Sequence, residues 1–156
     1  MTTLRERIEK RYKDSLATKC EKDKCTLKID AKARHSCTVI DCDKCTASEF
    51  PGKRCDYLLF YWGIKPKVCI LEFEGTSINK VSEWIEQLEA GLSLLERITT
   101  PNEVPYCRPV VLHRKGVNAI TIKAIQNRRV IFRGERLLIL LKKCGATLSD
   151  IIPKNT

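Results

Sequence analysis

The stretch Cys55–Leu95, CDYLLFYWGIKPKVCILEFEGTSINKVSEWIEQLEAGLSLL, decides the fold. It reads as a strand, a short turn, a second strand and a long amphipathic helix. Asp56 to Trp62 is apolar after its first residue. Gly63 and Pro66 break that run, and Lys67 to Glu74 follows as the second strand. Side chains alternate along a strand, so Val68, Ile70, Glu72 and Glu74 share one face while Cys69, Leu71 and Phe73 share the other. Both faces begin apolar, the pattern of an interior strand covered on two sides. Two carboxylates on one face of such a strand are costly to bury without partners.

Neighbouring strands lie about 4.8 Å apart, so a suitable register brings Asp56 beside Glu72 and Glu74. Three carboxylates that close repel one another; one must protonate, or a cation must join them. An all-oxygen donor set of this kind suits a hard divalent cation, Mg²⁺ or Mn²⁺. The competing reading makes Glu72 and Glu74 the solvent-exposed end of the strand, paired with lysines. After Glu74, Thr76 or Ser77 caps a helix that runs to about Ile98. Its apolar stripe, Val81, Trp84, Ile85, Leu88, Leu92 and Leu95, packs it on the sheet.

The segments CDYLLF, VCILEFEG and WIEQLEAG resemble the core of the PD-(D/E)XK nuclease superfamily, the restriction-endonuclease-like fold. In that pattern an Asp on one strand is followed by (D/E)-x-K on the next, then by a helix. Asp56 matches the Asp and Glu72 the first acid. Glu74 stands where Lys is usual, as it does in a minority of the superfamily's restriction endonucleases. The pieces CTLKID, YCRPVVLH and RRVIFRGERLLILLKKCG extend the resemblance, to a group of small proteins with this core, over nearly the whole chain. The fold expected is α/β, a mixed central sheet flanked by helices in the order α-β-β-β-α-β, with a C-terminal β-hairpin.

The resemblance implies a Mg²⁺-dependent nuclease that hydrolyses phosphodiesters in DNA. Asp56 and Glu72 would hold the metal, and Glu74 would bind it or position the attacking water. Gln87 matches a position near the active site of related nucleases. Lys80 is the nearest candidate for a lysine displaced from the strand to the following helix, and for a contact to nucleic acid. The alternative is a catalytically inactive module of the same fold that binds nucleic acid or a protein partner. Metal-dependent cleavage separates the enzyme from the module, and salt-dependent DNA binding separates the two kinds of module.

The rest of the chain frames these residues. Its 156 residues suit one domain, 1–156, with a cysteine-rich segment at 20–55. An apolar content of 43% argues against wholesale disorder. Lysine and arginine number 29 against 19 acids, a net charge of +10 that favours a polyanionic partner. Residues 1–20 are too charged for a signal peptide, and no apolar run approaches the roughly 20 residues that span a membrane. The expectation is a cytoplasmic protein. Leu4, Ile8, Tyr12 and Leu16 recur at helical spacing and predict a first helix of about 15 residues.

Six of the nine cysteines fall between Cys20 and Cys55. Cys20, Cys25, Cys42 and Cys45 form C-x4-C-x16-C-x2-C, close to a zinc ribbon in which two tight pairs supply four thiolates. Other states remain open: reduced thiols, disulfides, or a dispersed set of Cys25, Cys55, Cys107 and Cys144 converging on a zinc or an iron–sulfur cluster. Thr26 to Asp30 and Cys37 to Asp41 alternate like the arms of a hairpin.

Beyond the long helix, Arg108 to His113 reads as a strand and Asn118 to Gln126 as a short helix. Arg129 to Arg133 and Arg136 to Lys143 flank Gly134-Glu135, a pair suited to a type II′ hairpin turn. Arg128, Arg129, Arg133 and Arg136, with Lys142 and Lys143, make this the most basic region and a candidate track for a phosphate backbone. The same charges would also protect an edge hairpin from aggregation.

Overall fold

The structure, a computed structural model, describes residues 2–74, 81–114 and 118–152. The chain begins with helix α1 (Leu4–Arg11), a 3₁₀ turn at Lys13–Ser15 and strand β1 (Leu16–Ala17). Strands β2 (Cys20–Lys22) and β3 (Cys25–Leu27), helix α2 (Ala31–Arg34) and strand β4 (Cys37–Asp41) follow. The central run is β5 (Tyr57–Tyr61), β6 (Lys67–Glu74), α3 (Val81–Ile98) and β7 (Cys107–His113). Then come α4 (Ala119–Gln126), β8 (Val130–Phe132), β9 (Glu135–Leu137), β10 (Leu140–Lys143) and α5 (Leu148–Ile151).

Six strands hydrogen-bond into one mixed sheet in the order β1-β4-β5-β6-β7-β10. The pairs from β1 through β6 are antiparallel; β6 with β7 and β7 with β10 are parallel. A parallel neighbour requires a crossover, and α3 supplies it between β6 and β7. The protein is therefore α/β, and its longer elements follow the expected order of helix, three strands, helix, strand. On one sheet face Leu58, Phe60, Val68, Ile70 and Val111 pack with Trp84, Leu88, Leu92 and Leu95 of α3, with Ile8 of α1 and with Tyr12 just beyond it. On the other, Leu59, Cys69, Leu71, Val110 and Leu112 pack with Leu27, Ile29, Leu148 and Ile151. The centre of the sheet is thus dry on both sides, as the unbroken apolar runs of β5 and β6 require.

Gly91 sets how closely α3 approaches the sheet. A Cβ there would fall 2.6 Å from both Cys55 Sγ and Ile70 Cγ2.

Several local expectations are corrected. The first helix stops at Arg11, because Ser15 turns the chain: its N–H donates to Tyr12 O at 2.8 Å and its hydroxyl to Lys44 O at 3.1 Å. Cys25–Leu27 pairs with Cys20–Lys22 rather than with Cys37–Asp41, which joins the main sheet between β1 and β5. The basic C-terminal segment is not one long hairpin. Only β8 and β9 pair with each other, and β10 leaves them to extend the main sheet beside β7. Their turn is Arg133-Gly134 with φ of 51° and 80°, the type I′ pattern of two positive φ angles rather than II′. The proposed helix caps Thr76 and Ser77 lie outside the described residues.

Candidate functional site

The register of β5 on β6 builds the site. Tyr57 pairs with Leu71, so one step outward Asp56 stands opposite Glu72. The Asp56 N–H donates to Leu71 O at 3.0 Å, which fixes its backbone at the sheet end. Its carboxylate then folds back on the ladder, where Oδ2 accepts the Phe73 N–H at 2.7 Å. Oδ1 accepts from Lys22 Nζ at 2.6 Å. Asp56 and Glu72 are each only 4% exposed. The two acids thus stand side by side and buried at the sheet end, an arrangement that the sequence allowed but left open against solvent exposure.

Glu74 lies two residues further along β6 on the same face, about 6.8 Å by strand rise, and its Oε2 accepts the indole N–H of Trp84 at 3.0 Å. Among the described residues no group of three or more His, Cys, Asp or Glu side chains converges as a metal site.

Burial pushes the Glu72 carboxyl pKa up from the ordinary glutamate range to about 10, and the neighbouring Asp56 carboxylate reinforces the shift. Glu72 is thus a protonated acid at neutral pH, lying against the Asp56 carboxylate. Its Oε1 receives the Gln87 amide at 3.3 Å when that amide is oriented to donate, and the same nitrogen reaches Glu83 O at 3.2 Å. Among the described residues Oε2 has no hydrogen-bond partner. An orphaned oxygen in so buried a carboxyl is costly, since protonated it lacks an acceptor and ionised it lacks a donor or a cation.

Lys22 is the site residue that no sequence pattern singles out. It sits 34 residues before Asp56, in a segment whose other polar residues look alike. Its side chain keeps 40% exposure, with its ammonium on Asp56 and 4.0 Å from Asp43. Burial lowers its pKa, but the Asp56 hydrogen bond and charge outweigh that effect and hold it above the ordinary lysine value. The remaining lysine candidate, Lys80, lies outside the described residues.

The cysteines do not assemble as a ribbon. Cys25 is bonded to Cys144, with Cα atoms 5.0 Å apart. Cys20 and Cys25 lie in the core of one sheet face, whereas Cys42 and Cys45 pack on the other. The sheet itself separates the two proposed ligand pairs. The dispersed alternative divides too: Cys55 lies 3.5 Å from Cys42, Sγ to Sγ, while Cys144 is bonded to Cys25. Burial raises the pKa of Cys69 to about 12 and of Cys37 to about 11, and pushes Cys20, Cys42 and Cys107 well up. Thiols held protonated in this way are poor nucleophiles.

The basic residues separate into two kinds. Arg128, Arg129 and Arg136 are exposed. Arg133 is instead built into the fold: Nη2 donates to Thr99 O at 3.1 Å and to Thr99 Oγ1 at 2.7 Å, and the guanidinium covers the Phe132 ring at 4.8 Å. Its backbone N–H is bound by Glu96. Glu96 lies nine residues beyond Gln87 on α3, so this basic region sits about 14 Å along the helix from the carboxyl pair.

No family model, curated protein or solved structure matches this chain. Among the described residues no helix is long and apolar enough to cross a membrane.

Proposed function

We propose that this protein is a divalent-metal-dependent nuclease of the restriction-endonuclease-like kind, hydrolysing phosphodiesters in DNA. The observation that carries the reading is the Asp56–Glu72 pair, two carboxyls placed opposite each other at a sheet end with one oxygen orphaned. Charge supports it. Two positive charges, the Lys22 ammonium and the Glu72 proton, now balance two carboxylates; one divalent cation brings the same two. The residues therefore fit Mg²⁺ or Mn²⁺, with Asp56 and Glu72 as its protein ligands and water completing a shell these cations keep partly hydrated.

Bound there, the cation supplies a Lewis acid for a phosphoryl oxygen and an acidified water. The chain's own residues do the remainder. The Phe73 N–H orients Asp56, Gln87 orients Glu72, and Glu72 must give up its proton to act as a ligand. Glu74, steadied by Trp84, is the carboxylate left to take a proton from the attacking water. Lys22, if displaced from Asp56, would offer an ammonium to the phosphate's negative charge. Arg128, Arg129 and Arg136 extend the contact to the DNA backbone. A structural zinc or iron–sulfur cluster has no support in this arrangement. In the cytoplasm the Cys25–Cys144 pair would stand under reducing conditions.

The test is nicking of supercoiled DNA with and without Mg²⁺ or Mn²⁺. Cleavage should need the metal, and Asp56→Ala or Glu72→Ala should abolish it while DNA binding survives. Two observations favour the inactive-module reading: Lys22 already neutralises Asp56, and Trp84 already engages Glu74. Salt-dependent DNA binding without cleavage, by the wild type under both metals, would establish that reading instead.

A further inference from the structure

We propose that the Cys25–Cys144 bond is a redox clasp that holds Lys22 on Asp56, so that its reduction opens the carboxyl pair to a divalent cation. The inference rests on reading that pair as a cation site and adds a means of regulating it.

Strands β2 and β3 form a two-stranded sheet of their own, three residues a side, outside the six-stranded sheet. So short a hairpin does not hold its shape alone; its anchors decide its position. The anchors fall into two sets. At the base, Gly145 N–H donates to Thr26 O at 2.7 Å, Lys28 N–H to Ala146 O at 2.8 Å and Leu148 N–H to Lys28 O at 2.9 Å. Leu27 and Ile29 are buried beside them. Tyr57 adds a hydroxyl hydrogen bond to Glu21 O at 2.7 Å.

The tip, residues 22–25, has a different set. Lys22 is ion-paired to Asp56, Arg114 Nη1 donates to Asp23 O at 3.2 Å, and Cys25 is bonded to Cys144. Lys22 and Cys25 are directly opposed across the hairpin. Asp23 and Lys24 close it in two residues with φ of 49° and 67°. The lysine and the disulfide therefore occupy one rung, and what fixes Cys25 fixes Lys22.

The chemistry has a defined polarity. Cys25 is fully buried, whereas Cys144 is half-buried, so an external dithiol reaches the Cys144 sulfur. Its thiolate attacks Cys144 Sγ; the S–S bond breaks, and Cys25 leaves with the electron pair and takes a proton. The reductant's second thiol then displaces Cys144, giving two protein thiols and an oxidised dithiol. The released Cys25 thiol has the Leu112 carbonyl at 3.8 Å as an acceptor. Only the tip loses its covalent hold, and the base remains. A cation competing with Lys22 for Asp56 then displaces a lysine on a loosened tip. Its apparent affinity rises with the fraction of molecules in which Asp56 is open.

The experiment compares oxidised and dithiol-reduced protein by two readouts: metal-free amide hydrogen exchange, and Mn²⁺ binding by loss of the free Mn²⁺ electron-spin signal. Reduction should speed exchange at residues 22–25 and leave 26–28 protected, and should tighten Mn²⁺ binding about ten-fold. Cys144→Ser should bind like the reduced protein. Oxidised Lys22→Met should bind Mn²⁺ at least as tightly, with no further gain on reduction; Lys22→Gln serves if that variant misfolds. If Lys22→Met tightens binding but reduction and Cys144→Ser do not, the clasp is wrong while the cation site stands. If no form, Lys22→Met included, binds Mn²⁺ in a way that Asp56→Asn abolishes, the cation site itself is wrong and the proposal falls with it.

Discussion

Replacing Glu72 with Gln keeps the shape of a buried side chain and removes its ability to ionise. In the native protein Glu72 holds its proton until about pH 10, because burial and the Asp56 carboxylate both disfavour its charge. In the unfolded chain an ordinary glutamate releases it near about pH 4.3. Between those limits the native state binds one proton more than the unfolded state, so stability falls as pH rises. The slope is about 1.4 kcal/mol per pH unit. From pH 6 to pH 8 that amounts to about 2.7 kcal/mol, or about 5–11 °C in melting temperature for a chain of this size. Lys22 stays charged throughout, since its pKa is raised and its own contribution is lost only at higher pH. Histidines and other titrating groups are common to both proteins and cancel in the difference. Urea unfolding of wild type and Glu72→Gln, in chelator from pH 5.5 to 8.5, should therefore show the variant gaining steadily on the wild type. A constant gap across that range would refute the account of Glu72 as a buried, protonated acid.

Three other variants test the fold and the basic surface. Gly91→Ala should cost about 1–3 kcal/mol in urea unfolding, because its Cβ would overlap Cys55 Sγ and Ile70 Cγ2 in a filled core; an unchanged midpoint would mean that α3 lies further from the sheet. Replacing Arg128, Arg129 and Arg136 together with Gln should weaken DNA binding and flatten its salt dependence by about 2–3 in log–log slope, whereas Arg133→Gln should instead lower stability by about 1–2 kcal/mol. The reverse pattern would place the DNA contact on Arg133.

Much of the fold was legible because β5, β6, α3 and β7 carry strong local patterns. Their apolar runs and the period of α3 agree with their tertiary roles, and the facing of Asp56 and Glu72 follows from where the apolar run of β5 begins. What the sequence concealed depends on contacts between distant segments. Lys22 reaches Asp56 only because β2 and β3 fold over the sheet end, and no periodicity marks that lysine. Glu74 shares their face, and its hydrogen bond with Trp84 of α3 has no signature in the strand pattern. The cysteine spacing suggested a ribbon; the sheet runs between the two halves of that set, and Cys144 claims Cys25 from 119 residues away. Arg133 looked like its basic neighbours until the turn gave it a positive φ and turned its guanidinium to Thr99.

The central claim is that Asp56 and Glu72 hold one divalent cation. Crystals soaked in Mn²⁺ test it most directly, by an anomalous difference map at the manganese edge. The account predicts a single peak in contact with the carboxyl oxygens of both residues, including the orphaned Glu72 Oε2, and Lys22 moved off Asp56. A map with no peak there, from reduced crystals at millimolar Mn²⁺ and with Lys22 still on Asp56, would contradict it.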